Sequence, residues 1–397
     1  MPIDKKLGLL MKNIQKKYDE ALIGFASEAV GRVIPTHSTG SLMLDLVCGS
    51  GDRAGFPEGR ILEIYGPESA GKTTVCLLAI AARQQEEDQK ELADPTYNKK
   101  LCIYLDAEHA LDLRIAEEYG VNLNELILID PVTSEDALDV VDELIRSGQI
   151  AIMVVDSVPA LIPSSVEKAS YNQQFMAVLA RFMSNVMQKI IGPAHTNGTT
   201  IIFINQIREK PGAWSPTGVA ETTPGGRALK YYASIRLSVR AGERIKDKSG
   251  QVIGHLLKIK NIKNKIDMPY REAEVNLLYG VGVDRVFEVF QVALKADIIK
   301  QTGAWFTYTT EDGEIVEYDG LQMRFQGKDK MLDALREIPD FFHELDNIIR
   351  GVEVEADMMT EDEIQLVRDA IKKEEEKEKI LDETVIPKRG KAKGATS

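Results

Sequence analysis

Eight consecutive residues, Gly66-Pro67-Glu68-Ser69-Ala70-Gly71-Lys72-Thr73, carry the densest chemistry in the chain. They satisfy the spacing GxxxxGK[ST] at every fixed position. The glycines let backbone N–H groups curl around phosphate oxygens, and the start of a following helix adds positive potential. Lys72 can reach the β- and γ-phosphates of a nucleoside triphosphate, and Thr73 offers a hydroxyl to Mg²⁺. Average residue usage yields such a match in roughly 1% of chains this long. The surroundings narrow it further, because an apolar run at 61–65 precedes the match and a helical pattern at 73–85 follows it. The alternative is a turn that is glycine-rich for structural reasons alone.

Two carboxylates complete this chemistry. Ile152-Met153-Val154-Val155-Asp156-Ser157 is an apolar strand ending in an acid, and Asp156 is placed to hold a magnesium shell through water. Asp106-Ala107-Glu108-His109 follows another apolar run, 101–105. Glu108 at the carboxyl end of that strand faces the rim where ligands bind in open α/β sheets, and it can orient or deprotonate water. The other reading of Glu108 is an acid favoured by a helix N-terminus.

The elements that must position these groups alternate. Apolar runs at 61–65, 101–105, 126–129, 151–155, 200–204, 235–239 and 256–262 predict strands. Helical patterns such as 73–85 and 134–147 separate the earlier ones. This order predicts an α/β fold with a mostly parallel central sheet and helices on both faces, extended by antiparallel strands at its end. Near Asp284 the pattern changes to helices at 286–296 and 329–350 around a small strand region, 305–318. That predicts a small α/β C-terminal domain over 284–352, after a core over 33–283.

At the other end, Ile3, Leu7, Leu10, Ile14 and Tyr18 recur at helical spacing, with Lys5, Lys6, Lys12, Lys16 and Lys17 between them. A short apolar stretch follows at 22–26. A helix and strand this short must pack on something, so residues 1–32 form a module that docks either on its own core or on a neighbouring copy. The last segment, 353–397, is charge-dense and predicts disorder.

Bulk properties exclude several classes. With 44% apolar and 28% charged residues the chain reads as globular. No apolar run approaches the roughly 20 residues of a membrane span. The start, Met1-Pro2-Ile3-Asp4-Lys5-Lys6, lacks the apolar core of a signal peptide. Cys48, Cys76 and Cys102 are not spaced as metal ligands, so reduced thiols and a cytoplasmic location are expected. The net charge of −13 is unevenly spread: 353–383 hold 13 acids and 5 bases, a net of −8. The bulk charge therefore does not exclude nucleic acid as a partner. The acids of the tail are expected to repel phosphate, while its basic run, Lys388, Arg389, Lys391 and Lys393, could attract phosphate or neutralise them.

Beyond the phosphate-loop pattern, longer segments resemble the bacterial RecA recombinase family. These are Ser38-Thr39-Gly40-Ser41-Leu42, Glu63-Ile64-Tyr65-Gly66-Pro67-Glu68-Ser69, Asp106-Ala107-Glu108-His109-Ala110-Leu111-Asp112, Val155-Asp156-Ser157-Val158, Phe203-Ile204-Asn205-Gln206-Ile207-Arg208 and Lys263-Asn264-Lys265-Ile266. The resemblance runs in order from the N-terminal helix to about residue 350. It implies a RecA-type P-loop NTPase core with an N-terminal polymerisation module. It also implies ATP with Mg²⁺, hydrolysed to ADP and phosphate, and a helical homopolymer on single-stranded DNA that pairs with homologous duplex and exchanges strands. Glu108 then activates water, Gln206 senses the γ-phosphate, and Lys263 and Lys265 reach a neighbouring subunit's ATP. Two lysines two apart on a strand share a face, so both can address one phosphate; the plainer reading is a basic strand face. Thr74 and Asp112 join the nucleotide-binding set.

The resemblance also implies two DNA loops. The first spans about 163–175, ahead of a helix carrying Arg181 and Ser184. The second spans about 209–224 and ends in Gly225-Gly226, with Arg208, Lys210, Trp214 and Arg227 as contacts. Backbone N–H groups at the glycine pair can hold a phosphate. Trp214 either stacks on bases or packs on its own loop. Some positions depart from the family pattern. Ile115 stands where many members have a tyrosine that stacks on adenine, Gln188 replaces an arginine that meets DNA phosphate, and Glu209 and Pro211 sit in a second loop about two residues longer than usual. These mark a divergent member and leave a host or phage origin open. They also leave open any repressor or mediator protein as a partner. A ring helicase of the same fold and an ATP-binding regulator are the competing readings.

Overall fold

A computed structural model describes residues 5–17, 34–131, 133–161, 163, 174–215, 218–247, 249–310 and 312–350. The predicted strand at 22–26, most of the first DNA loop and the charged tail lie outside the described residues.

Among the described residues nine strands form the central sheet: β1 (Ile61–Gly66), β2 (Leu101–Asp106), β3 (Leu126–Ile129), β4 (Ile150–Asp156), β5 (Thr200–Gln206), β6 (Ile235–Lys246), β7 (Val252–Asn264), β8 (Glu272–Leu278) and β9 (Gly282–Val283). Their spatial order is β9-β8-β7-β6-β1-β5-β4-β2-β3. From β6 to β3 every pairing is parallel; from β6 to β9 every pairing is antiparallel. The mostly parallel sheet and its antiparallel extension are as the sequence order predicts. All seven residues of β4 are buried, the mark of a parallel strand covered on both faces. Alternation splits its side chains. Ile152 and Val154 join a core with Val75, Cys76 and Ile80, while Met153 and Val155 join a second core with Val141, Met183 and Met187.

The helices are α1 (Lys5–Lys17), α2 (Leu42–Cys48), α3 (Lys72–Ala93), α4 (Leu113–Glu118), α5 (Ser134–Arg146), α6 (Gln174–Asn197), α7 (Ala228–Tyr232), α8 (Arg285–Lys295), α9 (Lys328–Glu337) and α10 (Pro339–Arg350). Helix α3 packs on one face of the sheet, α5 and α6 on the other. Helix α5 shows the local logic. The Thr133 hydroxyl accepts from Asp136 N, Glu135 and Asp136 favour the positive end, and Ala137, Leu138, Val141 and Ile145 form the buried stripe. Helix α1 exposes Leu7, Leu9 and Leu10.

Three predictions of element boundaries need correction. The expected loop at 209–224 contains a β-hairpin, Arg208–Ser215 paired with Gly218–Thr222. Strand β8 was not predicted, because its sequence alternates acids and apolar residues. The helix expected over 329–350 is two helices. Pro339 has no N–H and disfavours helical geometry at the residue before it. Ile338 is accordingly extended, with φ −116° and ψ 90°.

After β9, Asp284 caps α8 through its side chain, which accepts from Phe287 N. Helices α8, α9 and α10 and the strands Ile299–Thr302, Trp305–Tyr308 and Arg324–Gln326 share a separate core. The Phe290 and Phe306 rings meet edge to face at its centre, 5.5 Å apart. This core also takes in Leu42 of α2. Glu288 of α8 reaches the same helix, accepting from the Ser41 hydroxyl and, at 3.0 Å, from Leu42 N. Burial pushes the Glu288 carboxyl up to about 7. The folded chain therefore keeps a proton that the unfolded chain releases near the ordinary glutamate range. This contribution to stability is present at low pH and is lost as pH rises through about 7. Unfolding temperature measured from pH 5 to 8 is expected to fall over this window in the native chain. In Glu288→Gln, the neutral isostere, this part of the fall disappears.

Candidate functional site

The site lies at the carboxyl ends of β1, β4, β2 and β5. Gly66 closes β1 against β6 so tightly that a Cβ there would lie 2.0 Å from the Val239 carbonyl oxygen. Glycine is required by that approach. The loop then runs through Pro67, Glu68, Ser69 and the buried Ala70 to Gly71, whose φ of +87° turns the chain into α3. Lys72 and Thr73 open that helix, with Thr74 next.

Lys72 is buried, and burial pulls its ammonium below the usual lysine range. Its Nζ donates to the carbonyls of Gly66 at 3.2 Å and Pro67 at 2.6 Å. Thr73 Oγ1 donates to Asp156 Oδ2 at 3.0 Å, and the Tyr104 hydroxyl donates to the same oxygen at 2.5 Å. Burial pushes the Asp156 carboxyl up, while these two hydrogen bonds oppose the shift. The predicted strand-end acid and the predicted hydroxyl are thus in direct contact. Tyr104, on the middle of β2, is a partner the sequence did not reveal. Its hydroxyl is pushed up by burial and by Asp156.

Glu108 stands just past β2. The backbone N–H groups of Ala107 and Glu108 both donate to the Asp156 carbonyl, at 2.7 and 3.3 Å. Asp106 holds the following turn, accepting from Ala110 N and Leu111 N. The Glu108 carboxylate is exposed and accepts from the Ser157 hydroxyl and, at 3.2 Å, from Gln206 Nε2. Gln206 ends β5 and leads straight into the hairpin. Lys72, Thr73, Asp156, Glu108 and Gln206 therefore converge from four strands.

Asp112 caps α4 and accepts from Arg114 N at 3.0 Å. Hydrogen bonds from Arg114 hold its carboxyl below the usual range. Ile115 on α4 is exposed, as is Tyr279 beyond β8. His255, on β7 beside the Gly71 turn, pairs through Nδ1 with the Tyr279 hydroxyl at 3.2 Å. Neither His255 nor Tyr279 was predicted, since they belong to the antiparallel extension and reach the loop only through sheet register.

Lys263 and Lys265 lie away from this centre, at the opposite end of β7. Their Nζ atoms share one acceptor, the Tyr231 carbonyl, at 3.0 and 2.9 Å. Lys263 also donates to the Lys230 carbonyl at 2.6 Å. Burial, followed by the charges of Lys265 and Arg236, lowers Lys263 to about 8. The two ammoniums do share a face, as strand alternation predicts.

The residues predicted to meet DNA gather partly. Gly226 sits so near α6 that a Cβ would lie 2.6 Å from that of Ala180. Arg181 follows Ala180 on α6 and Arg227 follows the glycine pair; both arginines are exposed. Ser184 is half-buried one turn further along α6, and Arg208 is exposed at the hairpin's start. The side chains of Lys210 and Trp214 lie outside the described residues.

Comparison with known proteins decides the family. The RecA N-terminal domain family matches residues 5–284. Protein RecA of Bacillus subtilis (strain 168) is 40% identical over 359 residues, covering 90% of this chain and 97% of that protein. Protein RecA of Bacillus thuringiensis (strain Al Hakam) is 42% identical over 305 residues, covering 77% of this chain and 84% of that protein. The chain belongs to the RecA family. It is an ATP-dependent recombinase of DNA repair and, like the RecA family at large, a DNA-dependent ATPase. Among the described residues no helix is long and apolar enough to cross a membrane.

The donor set fits a nucleotide-bound Mg²⁺. Among the described residues no group of three or more metal-binding side chains exists. Thr73 and Asp156 instead offer two hard oxygen donors beside the phosphate loop. Mg²⁺ is typically held by one or two such groups together with phosphates and water. Lys72→Ala is expected to weaken triphosphate binding at least tenfold, by loss of a charge at the β- and γ-phosphates. Titration with a fluorescent ATP analogue checks this, with unchanged unfolding temperature as the control for folding.

Proposed function

We propose that this RecA-family chain binds ATP with Mg²⁺ between adjacent subunits of a filament on single-stranded DNA. The filament would pair with homologous duplex and exchange strands in the cytoplasm. The observation that supports this most directly is the Glu108 carboxylate held by Ser157 and Gln206 at the rim that carries Lys72 and Thr73.

On this reading the loop from Gly66 to Thr74 wraps the phosphates, and Lys72 exchanges the carbonyls of Gly66 and Pro67 for phosphate oxygens. Mg²⁺, held by Thr73 and through water by Asp156, would supply positive charge to the β- and γ-phosphate oxygens. Glu108 accepts the proton of a water whose oxygen forms the new bond to the γ-phosphorus. The bond to the β–γ bridging oxygen breaks, and ADP leaves with that electron pair. Gln206 bonds Glu108 and begins the segment that enters the hairpin, so it can report the γ-phosphate to the DNA side. Asp112 stands at the nucleoside end, where Ile115 offers apolar contact alone.

DNA would lie along the hairpin and α6, on Arg181, Ser184, Arg208, Lys210, Trp214, Gly225, Gly226 and Arg227. Lys263 and Lys265 would turn from the Tyr231 carbonyl to a neighbour's phosphates. The exposed leucines of α1 support docking of residues 1–32 on an adjacent subunit. The domain plan is then this module, a core over 33–283, a small domain over 284–352 and a charged tail over 353–397. That tail's net negative charge would restrain duplex capture. Duplex DNA and further copies of the chain are the partners this plan implies, and repressor or mediator proteins stay open.

Glu108→Gln keeps the hydrogen bonds but cannot accept a proton at neutral pH. Turnover on single-stranded DNA is expected to fall by about 10²–10⁴, while ATP binding and filament formation persist. Steady-state phosphate release beside a filament sedimentation assay checks this. Native turnover in the variant contradicts water activation by Glu108.

A further inference from the structure

Four adjacent strands carry a connected polar row across one sheet face, which is apolar around Phe203 on β5 and polar on β6 and β7. Glu63 on β1 stands opposite Phe203 of β5 and opposite Arg236 of β6; Arg236 stands opposite Lys263 of β7. Asn205, two residues after Phe203, shares that face. Glu63 is fully buried. Its Oε1 accepts from Asn205 Nδ2 at 2.9 Å, and its Oε2 accepts from Arg236 Nε at 2.5 Å. A carboxylate inside a sheet is costly unless both oxygens are satisfied, and here each has a partner from a different strand.

The two ends of the row reach different parts of the molecule. Asn205 Nδ2 also donates to the Pro224 carbonyl at 3.1 Å, directly before the Gly225-Gly226 pair. Asn205 Oδ1 accepts from Gln206 N at 3.0 Å, and Gln206 holds Glu108. At the far end Lys263 is tied to α7, whose Lys230 donates to Thr222 Oγ1 at the end of the hairpin. Lys263 feels the nearby Arg236 charge as repulsive and the Glu63 charge as attractive. The Arg236 guanidinium also lies 4.9 Å from the centre of the Tyr65 ring, one residue before the phosphate loop.

We propose that Glu63 is a positioning residue that couples Gln206 and the DNA-facing hairpin to the lysines that face a neighbouring subunit's nucleotide. It touches no phosphate. One oxygen fixes Asn205 and the other fixes Arg236, so movement at Pro224 or Gln206 must carry β6 with it or break a charge-assisted bond. The inference rests on the reading in which Lys263 serves a neighbour's triphosphate, and it adds the link between that lysine and the DNA side.

The test uses full-length Glu63→Gln, Arg236→Gln, the double variant and Lys263→Ala. Each is measured for unfolding temperature, nucleotide binding without DNA, and ATP turnover with and without single-stranded DNA. Glu63→Gln is expected to lower the unfolding temperature, because Arg236 loses its counter-charge. Its DNA-free nucleotide binding stays within about twofold of native, while stimulation by DNA drops about tenfold. The double variant carries no unpaired charge and regains the unfolding temperature but not the stimulation. Recovery of both by the double variant makes the pair merely structural and overturns the proposal, as does full stimulation in Glu63→Gln. If Glu63→Gln is too unstable to assay, the double variant alone decides. Lys263→Ala separates the two layers. Lost stimulation there with normal stimulation in the Glu63 variants overturns the coupling alone. Normal stimulation in Lys263→Ala as well overturns the neighbour-facing reading.

Discussion

Asp156 ends the interior strand β4 with a carboxylate buried under the phosphate loop, and a buried charge in that position constrains everything around it. Thr73 and Tyr104 both donate to one of its oxygens. Its carbonyl takes the N–H groups of Ala107 and Glu108. One residue therefore sets the start of α3, the centre of β2 and the turn that presents Glu108. The strand can hold a charge there because the rest of β4 is sealed on both faces by apolar helices, leaving its carboxyl end as the place where water and ligand can enter.

From that point the chemistry spreads along the sheet rather than through space. Gln206 bonds Glu108 and leads within two residues into the hairpin at 208–222. Asn205 closes the same hairpin at Pro224 and passes contact to Glu63, then to Arg236 and Lys263. On the proposed reading, the hydrolysis site, the DNA-facing hairpin and the two lysines are thus connected by neighbouring strands of one sheet. The proposed filament would need such a connection, because DNA bound by one subunit would have to alter the handling of ATP held between two.

The parts legible in the sequence are those whose chemistry is local. The phosphate loop needs eight consecutive residues, and the parallel strands are continuous apolar runs, so both could be read directly. Asp156 and Glu108 were legible as acids at strand ends. The partners that decide their geometry were not. Tyr104, Ser157 and Asn205 meet the site only through register between strands distant in sequence. Strand β8 alternates Glu272, Ala273, Glu274 and Val275, a half-buried pattern without the continuous apolar run that marks the parallel strands. The hairpin at 208–222 is rich in glycine and proline and reads as loop. The break at Pro339 was visible in the sequence, and the strength of the flanking apolar periodicity masked it. Glu63 resembles any acid in a strand until Asn205 and Arg236 are seen on either side of it.

The proposed function requires ATP to be shared between consecutive subunits of an open filament. Electron cryomicroscopy of the full chain on single-stranded DNA, with a slowly hydrolysed ATP analogue, tests it most directly. The expected result is a continuous helical polymer in which Lys263 and Lys265 of one subunit lie beside the triphosphate held by Lys72 and Thr73 of the next. Closed rings, or a filament in which those lysines remain on the Tyr231 carbonyl and far from every nucleotide, contradict it.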